Sequence, residues 1–338
     1  IYTDSILRLA RRINGNHYTL WGNTNTVPIN EKISKPRQQK VIFKLPNDLR
    51  TAIHLAETRL TDIINQHEYV FRSITTFGKQ YIKERMQLPA DSVVQVAIQL
   101  AHFALYGHPI STLEPVTTRK FRDARTEPVA TQSEALLELC RTFITGKSNE
   151  VKWSLFLKVV KEHRDKVRGA SDGKGFERHL SALRAAFINF DLLNKLHPDL
   201  PHIDGSRIPA FLFDAKVDKL YGPEMLAANC GNSALHMFGI TPSISTGFGV
   251  GYIIKDASIS FVASSQWRQT DRLLDTLVGV LLELKNIWKS VVKKANDTSL
   301  INQVSGSVKI RSQQLQDYLE SIPMKMVASN QSTVQDTN

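Results

Sequence analysis

Three glycines at every second position, Gly247, Gly249 and Gly251, constrain this chain more than any other feature. They stand in residues 225–264, where an apolar run from Val250 to Ile254 is followed by a short polar turn at Lys255 and Asp256. Ile259, Phe261 and Ala263 then alternate with smaller residues. That pattern predicts a β-hairpin. Side chains alternate across a strand, so the glycines leave one face of the incoming strand bare. Something large can lie there, either a ligand or another piece of backbone; the plainer reading is a bulged strand packed under a helix.

Much of the remaining sequence reads as helix. Residues 89–106 are apolar almost all round and stop at Gly107 and Pro109, which predicts a buried helix with His102 as a core histidine. Further helices are expected over residues 2–13, 46–65 (buried stripe Ile53, Leu55, Leu60 and Ile63), 133–144, 148–167, 176–193 and 268–292, with a short one near Lys216. Strands are expected at residues 41–45 and 69–74, and an extended basic segment at 117–125. Residues 14–39 read as a connection, 198–209 as a loop, and the Ser-, Asn-, Gln- and Thr-rich stretch beyond Lys293 as mostly disordered.

The chain has 338 residues and a formal charge of +11, which favours anionic partners. The charge is spread along the chain, and no zinc-finger, helix-turn-helix or RNA-binding signature accompanies it, so nucleic acid is not expected as a partner. Cys140 and Cys230 form no motif, no apolar run is long enough to span a bilayer, and no metal site is expected. The first residue is Ile1, which reads as the middle of a folded element of an incomplete sequence. The chain does not end in a Ser-Lys-Leu peroxisomal address, and its compartment stays open between cytoplasm, mitochondrion and peroxisome.

Lys79 and Lys83 stand four apart on an expected helix, a spacing that gives either a solvated basic face or a phosphate site. Four ordered blocks decide how to read them. They are Phe77-Gly78-Lys79 with Lys83 and Asp91; residues 112–127 with Arg125-Thr126-Glu127; Phe176-Glu177-Arg178-His179; and Asn229-Cys230-Gly231-Asn232 followed by Gly247-Phe248-Gly249-Val250-Gly251-Tyr252. As an ordered set they resemble the choline/carnitine acyltransferase family, most closely its fungal carnitine O-acetyltransferases, from Ile1 to about Trp288.

The resemblance implies an α/β, chloramphenicol-acetyltransferase-like fold of the CoA-dependent acyltransferases, with a mixed sheet and flanking helices. It implies the end of a first domain and a connection over residues 1–40, a second domain over 41–292, and a tail over 293–338. It also implies reversible acyl transfer between coenzyme A and carnitine by a monomer, with acyl-CoA and carnitine as substrates and no permanently bound cofactor. Lys79 and Lys83 then match positions that contact CoA phosphate, and Asp91 matches a CoA-side polar contact. Thr126 and Arg178 match positions that bind the carnitine carboxylate, where an arginine gives a charge-assisted contact. The hairpin would stand beside the acyl-transfer tunnel, its bare backbone leaving room for substrate.

Departures from the family pattern bear on catalysis. The general-base histidine of a His-x-x-x-Asp-Gly motif is expected before Ile1, and no such motif occurs in the 338 residues; His202-Ile203-Asp204-Gly205 has the wrong spacing. Without that base this chain alone is expected to be inactive. The family's carboxylate-pocket tyrosine is Leu113, and its Ser-Thr-Ser block is Leu226-Ala227-Ala228. Its Phe-Gly-Pro block is Ile240-Thr241-Pro242, and the glycine before Arg125 is Ala124. Loss of oxyanion donors commonly costs about 100-fold or more in rate. The two readings are therefore an acyltransferase and a homologue that binds CoA or a protein partner without catalysis.

Overall fold

The computed structural model describes residues 43–207, 209–231 and 235–302. The expected helix at residues 2–13, the connection at 14–39, the domain end at 1–40 and the tail beyond residue 302 lie outside them. The described chain builds one mixed six-stranded sheet with flanking helices, as expected. The strands are β1 (Glu68–Ile74), β2 (Thr112–Thr117), β3 (Thr126–Ala130), β4 (Met225–Asn229), β5 (Phe248–Ile254) and β6 (Ile259–Ser265), in the order β1-β6-β5-β4-β2-β3. Strands β2, β4 and β5 are parallel neighbours at the centre; β6 and β3 flank them antiparallel, and β1 pairs antiparallel with β6 at the edge.

The helices are α1 (Asn47–Asn65), α2 (Ala90–Tyr106), α3 (Glu134–Ile144), α4 (Asn149–Ser171), α5 (Glu177–Ile188), α6 (Phe190–Leu196), α7 (Ala215–Tyr221) and α8 (Thr270–Asn302). Helix α2 is the buried element its sequence predicts. Pro89 precedes it, Gly107 ends it at φ 75°, and residues 92–103 are all buried. Its Val93, Val94, Val96, Ile98, Leu100 and Phe103 contribute on the order of 10 kcal/mol of burial before chain entropy is subtracted. Ser92, Gln95, Gln99 and His102 recur at spacings of three and four, so they form a polar stripe inside an apolar helix. His102 is the core histidine expected: its Nδ1 lies 3.2 Å from the His108 carbonyl, and burial lowers its pKa from 6.5 to about 4.

One face of the sheet packs against α2, α3, α4 and α8 through Met225, Ala227, Phe248, Val250, Tyr252, Ile259, Phe261 and Ala263. The opposite face carries Gly249 and Gly251, paired in register with Leu226 and Ala228. It is not open. A Cβ at Gly249 would stand 2.2 Å from the Ile240 carbonyl oxygen, and one at Gly251 would stand 2.2 Å from that of Phe238. The chain around residues 238–241 thus lies as a strap on the bare backbone, held by a Ser264 Oγ hydrogen bond of 2.5 Å to the Ile240 carbonyl. The glycines seat backbone there, and the expectation that they leave room for substrate is overturned.

Other differences have local causes. Helix α1 forms as expected but buries no residue: Leu55 and Leu60 are more than half exposed, since no described segment covers that face. Residues 43–46 form no strand. The expected extended segment at 117–125 does not form: β2 ends at Thr117, and residues 118–125 turn back to β3. Helix α4 continues through Gly169 to Ser171, and the expected helix at 176–193 divides into α5 and α6 at Asn189. Helix α8 runs past Lys293 to Asn302. No described helix is long and apolar enough to cross a membrane.

Candidate active site

Of the five positions that the resemblance assigned to substrate, Lys79, Asp91, Thr126 and Arg178 stand at one end of the sheet, where β2, β4 and β5 reach their carboxyl ends. Ligands of open α/β sheets bind outside that end. Lys79 is held there through its backbone: its N–H donates to the Lys255 carbonyl at 2.8 Å, in the β5–β6 turn. Gly78 permits the contact, because a Cβ would stand 2.4 Å from the Lys255 oxygen. Lys79 leads into a π-helical turn, Tyr81–Met86, which carries Lys83. Both lysines are exposed. Such turns are rare and occur frequently at functional sites.

Asp91, in the first turn of α2, meets the ends of β4 and β5. Its Oδ1 accepts from Tyr252 Oη and from Asn229 Nδ2, each at 2.9 Å. Gln95 Nε2 donates to Tyr252 Oη at 3.0 Å. Glu114, in β2, also hydrogen-bonds Asp91. Behind it, Glu114 Oε2 lies 2.8 Å from His163 Nε2, and His163 Nδ1 lies 3.0 Å from Ser92 Oγ. Ser92, Glu114 and His163 are each less than 5% exposed. Geometry alone would permit an ion pair between Glu114 and His163. Burial opposes it, raising the Glu114 pKa well above the usual carboxylate range and lowering that of His163 to about 4. The pair is a neutral acid beside a neutral imidazole.

Thr126 begins β3, opposite Thr117 at the carboxyl end of β2. Arg178 sits beside it: Nε donates to the Thr126 carbonyl at 3.1 Å and Nη2 to Thr126 Oγ1 at 3.2 Å. Glu127 positions the arginine, its Oε1 accepting from the N–H groups of Glu177 and Arg178 at 2.9 and 3.3 Å. That places a carboxylate on the exposed amides and positive dipole end of α5. Gly175 leaves space for it, since a Cβ there would stand 2.3 Å from Glu127 Cγ.

The register sorts these groups by face. Glu114, Glu127 and Tyr252 belong to the helix-covered face. Thr126 falls with Leu113, Leu226 and Ala228 on the strap-covered face. Leu226, Ala227 and Ala228 therefore do not act as one group: Ala227 points into the core and is 0% exposed, while its neighbours point the other way. Ile240-Thr241, which stand where the family has the start of its Phe-Gly-Pro block, lie in the strap itself. No group of three or more metal-ligating side chains occurs among the described residues.

Residues 6–279 match the family described as Choline/Carnitine o-acyltransferase. The chain belongs to that family. It is 37% identical over 313 residues to a carnitine O-acetyltransferase of Saccharomyces cerevisiae, covering 86% of this chain and 33% of the relative. It is 27% identical over 230 residues to the human mitochondrial carnitine O-palmitoyltransferase 2, covering 67% of this chain and 33% of that protein. The chain thus spans about a third of the length of these relatives. Among solved structures, a chloramphenicol acetyltransferase overlaps 65% of this chain and 88% of its own, at 6% identity and a TM-score of 0.33, a likeness too loose to place any residue.

The polar corner behind Asp91 contains two residues that sequence reasoning passed over, Ser92 and His163. A signal for His163 exists. Trp153, Phe156, Val160, His163, Val167 and Ala170 recur at spacings of three and four, so the histidine stands on the inward stripe of α4. Ser92 stands likewise on the polar stripe of α2. Nothing in the sequence pairs either with Glu114.

Proposed function

We propose that this chain carries the coenzyme A side and the carnitine-carboxylate side of a carnitine O-acyltransferase site, which moves a short acyl group between coenzyme A and carnitine. The placing of Lys79, Asp91, Thr126 and Arg178 at the carboxyl ends of three parallel strands, with Lys83 in the turn that follows Lys79, carries this reading. Lys79 and Lys83 supply cationic contacts for CoA phosphate, and Asp91 accepts a hydrogen bond from the CoA side. Arg178, already fixed on Thr126, meets the substrate carboxylate. Attack by the carnitine hydroxyl on the thioester carbonyl requires a base to take the hydroxyl proton and return it to the leaving sulfur. None of the five residues has that role.

Full-length protein mixed with acetyl-CoA and carnitine should release free CoA. No release over a range of acyl lengths would overturn the enzymatic reading. A second reading, CoA binding without turnover, is favoured by Leu226 and Ala228, which bring no hydroxyl to their face of β4. Calorimetry separates the two: it predicts CoA binding with no measurable carnitine binding.

A further inference from the structure

We infer that Glu114 and His163 are positioning residues that hold the Asp91 carboxylate ready for the coenzyme A moiety. The inference rests on the CoA-side role proposed for Asp91. Its evidence is the continuous chain of hydrogen bonds behind that residue, which no substrate contact explains. Two carboxyl groups that hydrogen-bond each other must hold a proton between them. Asp91 already accepts from Tyr252 and Asn229, so it is the acceptor and Glu114 the donor.

The rest of the chain follows from one-donor, one-acceptor logic. A neutral imidazole has one N–H. Glu114 uses its hydroxyl toward Asp91, which leaves its carbonyl oxygen to accept from His163 Nε2–H at 2.8 Å. His163 Nδ1 is then the acceptor, and Ser92 Oγ–H donates to it at 3.0 Å. Every hydrogen bond points from the buried interior toward Asp91. Helix α4, helix α2 and strands β2 and β5 contribute the buried links His163, Ser92, Glu114 and Tyr252, and β4 adds the exposed Asn229, so the carboxylate at the surface is fixed largely by groups that solvent does not reach.

The arrangement holds while Glu114 keeps its proton. Ionised, it would set a second negative charge against Asp91 and turn a donor into a repelling acceptor. The titratable groups around it are Asp91 from α2, His163 and, farther along α4, Lys166, and Tyr252 from β5. Asp91 raises the Glu114 pKa further beyond the effect of burial, and Tyr252 stays neutral because burial and the two carboxyl groups raise its own.

Calorimetric binding of acetyl-CoA by the full-length protein between pH 6.5 and 9 tests this, the thioester removing the thiol's own titration. Affinity of the unaltered protein should decline toward alkaline pH. Glu114→Gln, whose amide donates at every pH, should bind within about threefold of the unaltered protein at pH 7 and lose the decline. Glu114→Ala should bind about tenfold more weakly at pH 7, and His163→Leu should weaken binding in the same direction. Retention of the decline in Glu114→Gln, or full affinity in Glu114→Ala, overturns the inference. Binding that needs Lys79 and Lys83 but ignores Glu114 overturns it alone. Absence of acetyl-CoA binding overturns the assignment of the site as well.

Discussion

The two faces of the sheet end differ in how their polar groups are held. On the helix-covered face, Asp91 is fixed by Tyr252, Asn229 and Glu114, and Glu114 in turn by His163 and Ser92. On the strap-covered face, Thr126 meets an exposed arginine, and its neighbours Leu113, Leu226 and Ala228 are apolar. Every departure from the family's carnitine and oxyanion blocks that the register places on a face, apart from inward-pointing Ala227, falls on this second side. The difference teaches where sequence can drift. A buried hydrogen-bonded chain penalises the loss of any member, because each remaining partner keeps its desolvation cost. A face lined by single side chains outside such a chain does not.

Four outcomes would break or sharpen that contrast. Asp91→Ala leaves the donors Tyr252, Asn229 and Glu114 without their acceptor, and should cost about 3 kcal/mol of unfolding free energy in urea. A loss below about 1 kcal/mol would show that the corner is not coupled.

The buried histidines should each give the helix-covered side an acid sensitivity on the order of 3 kcal/mol. The folded pKa of His163 lies below its ordinary 6.5, at about 4, so the unfolded chain binds the proton first as pH falls. Stability contributed by its neutral form is complete above pH 6.5 and is lost progressively toward pH 4. His102 shares both the window and the sign, so His163→Gln should reduce the slope without abolishing it. A slope unchanged in that variant would mean that His163 titrates normally.

Gly251→Val sharpens the comparison on the strap side. The new side chain meets backbone that cannot rotate away, so overpacking of about 2 kcal/mol is expected, visible as a lowered urea midpoint. Unchanged stability would mean that the strap lifts freely. Smallest is Arg178→Ala. The arginine is exposed, so unfolding should shift by less than about 0.5 kcal/mol while carnitine KM rises about tenfold or more. Equal losses in stability and in KM would make its role structural.

Much of the fold was legible because periodicity reports burial directly. The apolar run of α2 with its Gly107 stop, the alternation in β5 and β6, and the inward stripe of α8 each name their element. Boundaries failed where a local cap decides them, as at Asn189 between α5 and α6, whose Nδ2 donates back to the Ala185 carbonyl. The α1 stripe failed differently: its amphipathic spacing is real, but spacing says only that a face is apolar and not what covers it. For the proposed site, ordered blocks singled out Lys79, Lys83, Asp91, Thr126 and Arg178, because each lies within a short recognisable run. His163 and Ser92 escaped, since a polar residue on a buried stripe gives no sign of its partner 71 residues away.

The hydrophobic pattern by itself determined that this chain forms a β-hairpin and a buried helix, and that the strand at Gly247, Gly249 and Gly251 has a bare face; the mixed sheet was implied by the family resemblance alone. The hairpin, the helix and the bare face are consequences of local period and side-chain size, which are written residue by residue. Only tertiary structure decided what fills that face. The strap at residues 238–241 arrives from a loop with no regular period, and it fits because carbonyl oxygens reach 2.2 Å from where a Cβ would stand. Tertiary structure likewise decided that the Glu114 pKa is raised well above the usual carboxylate range. That depends on Asp91 and on burial among separate elements, a condition no single stretch of sequence contains.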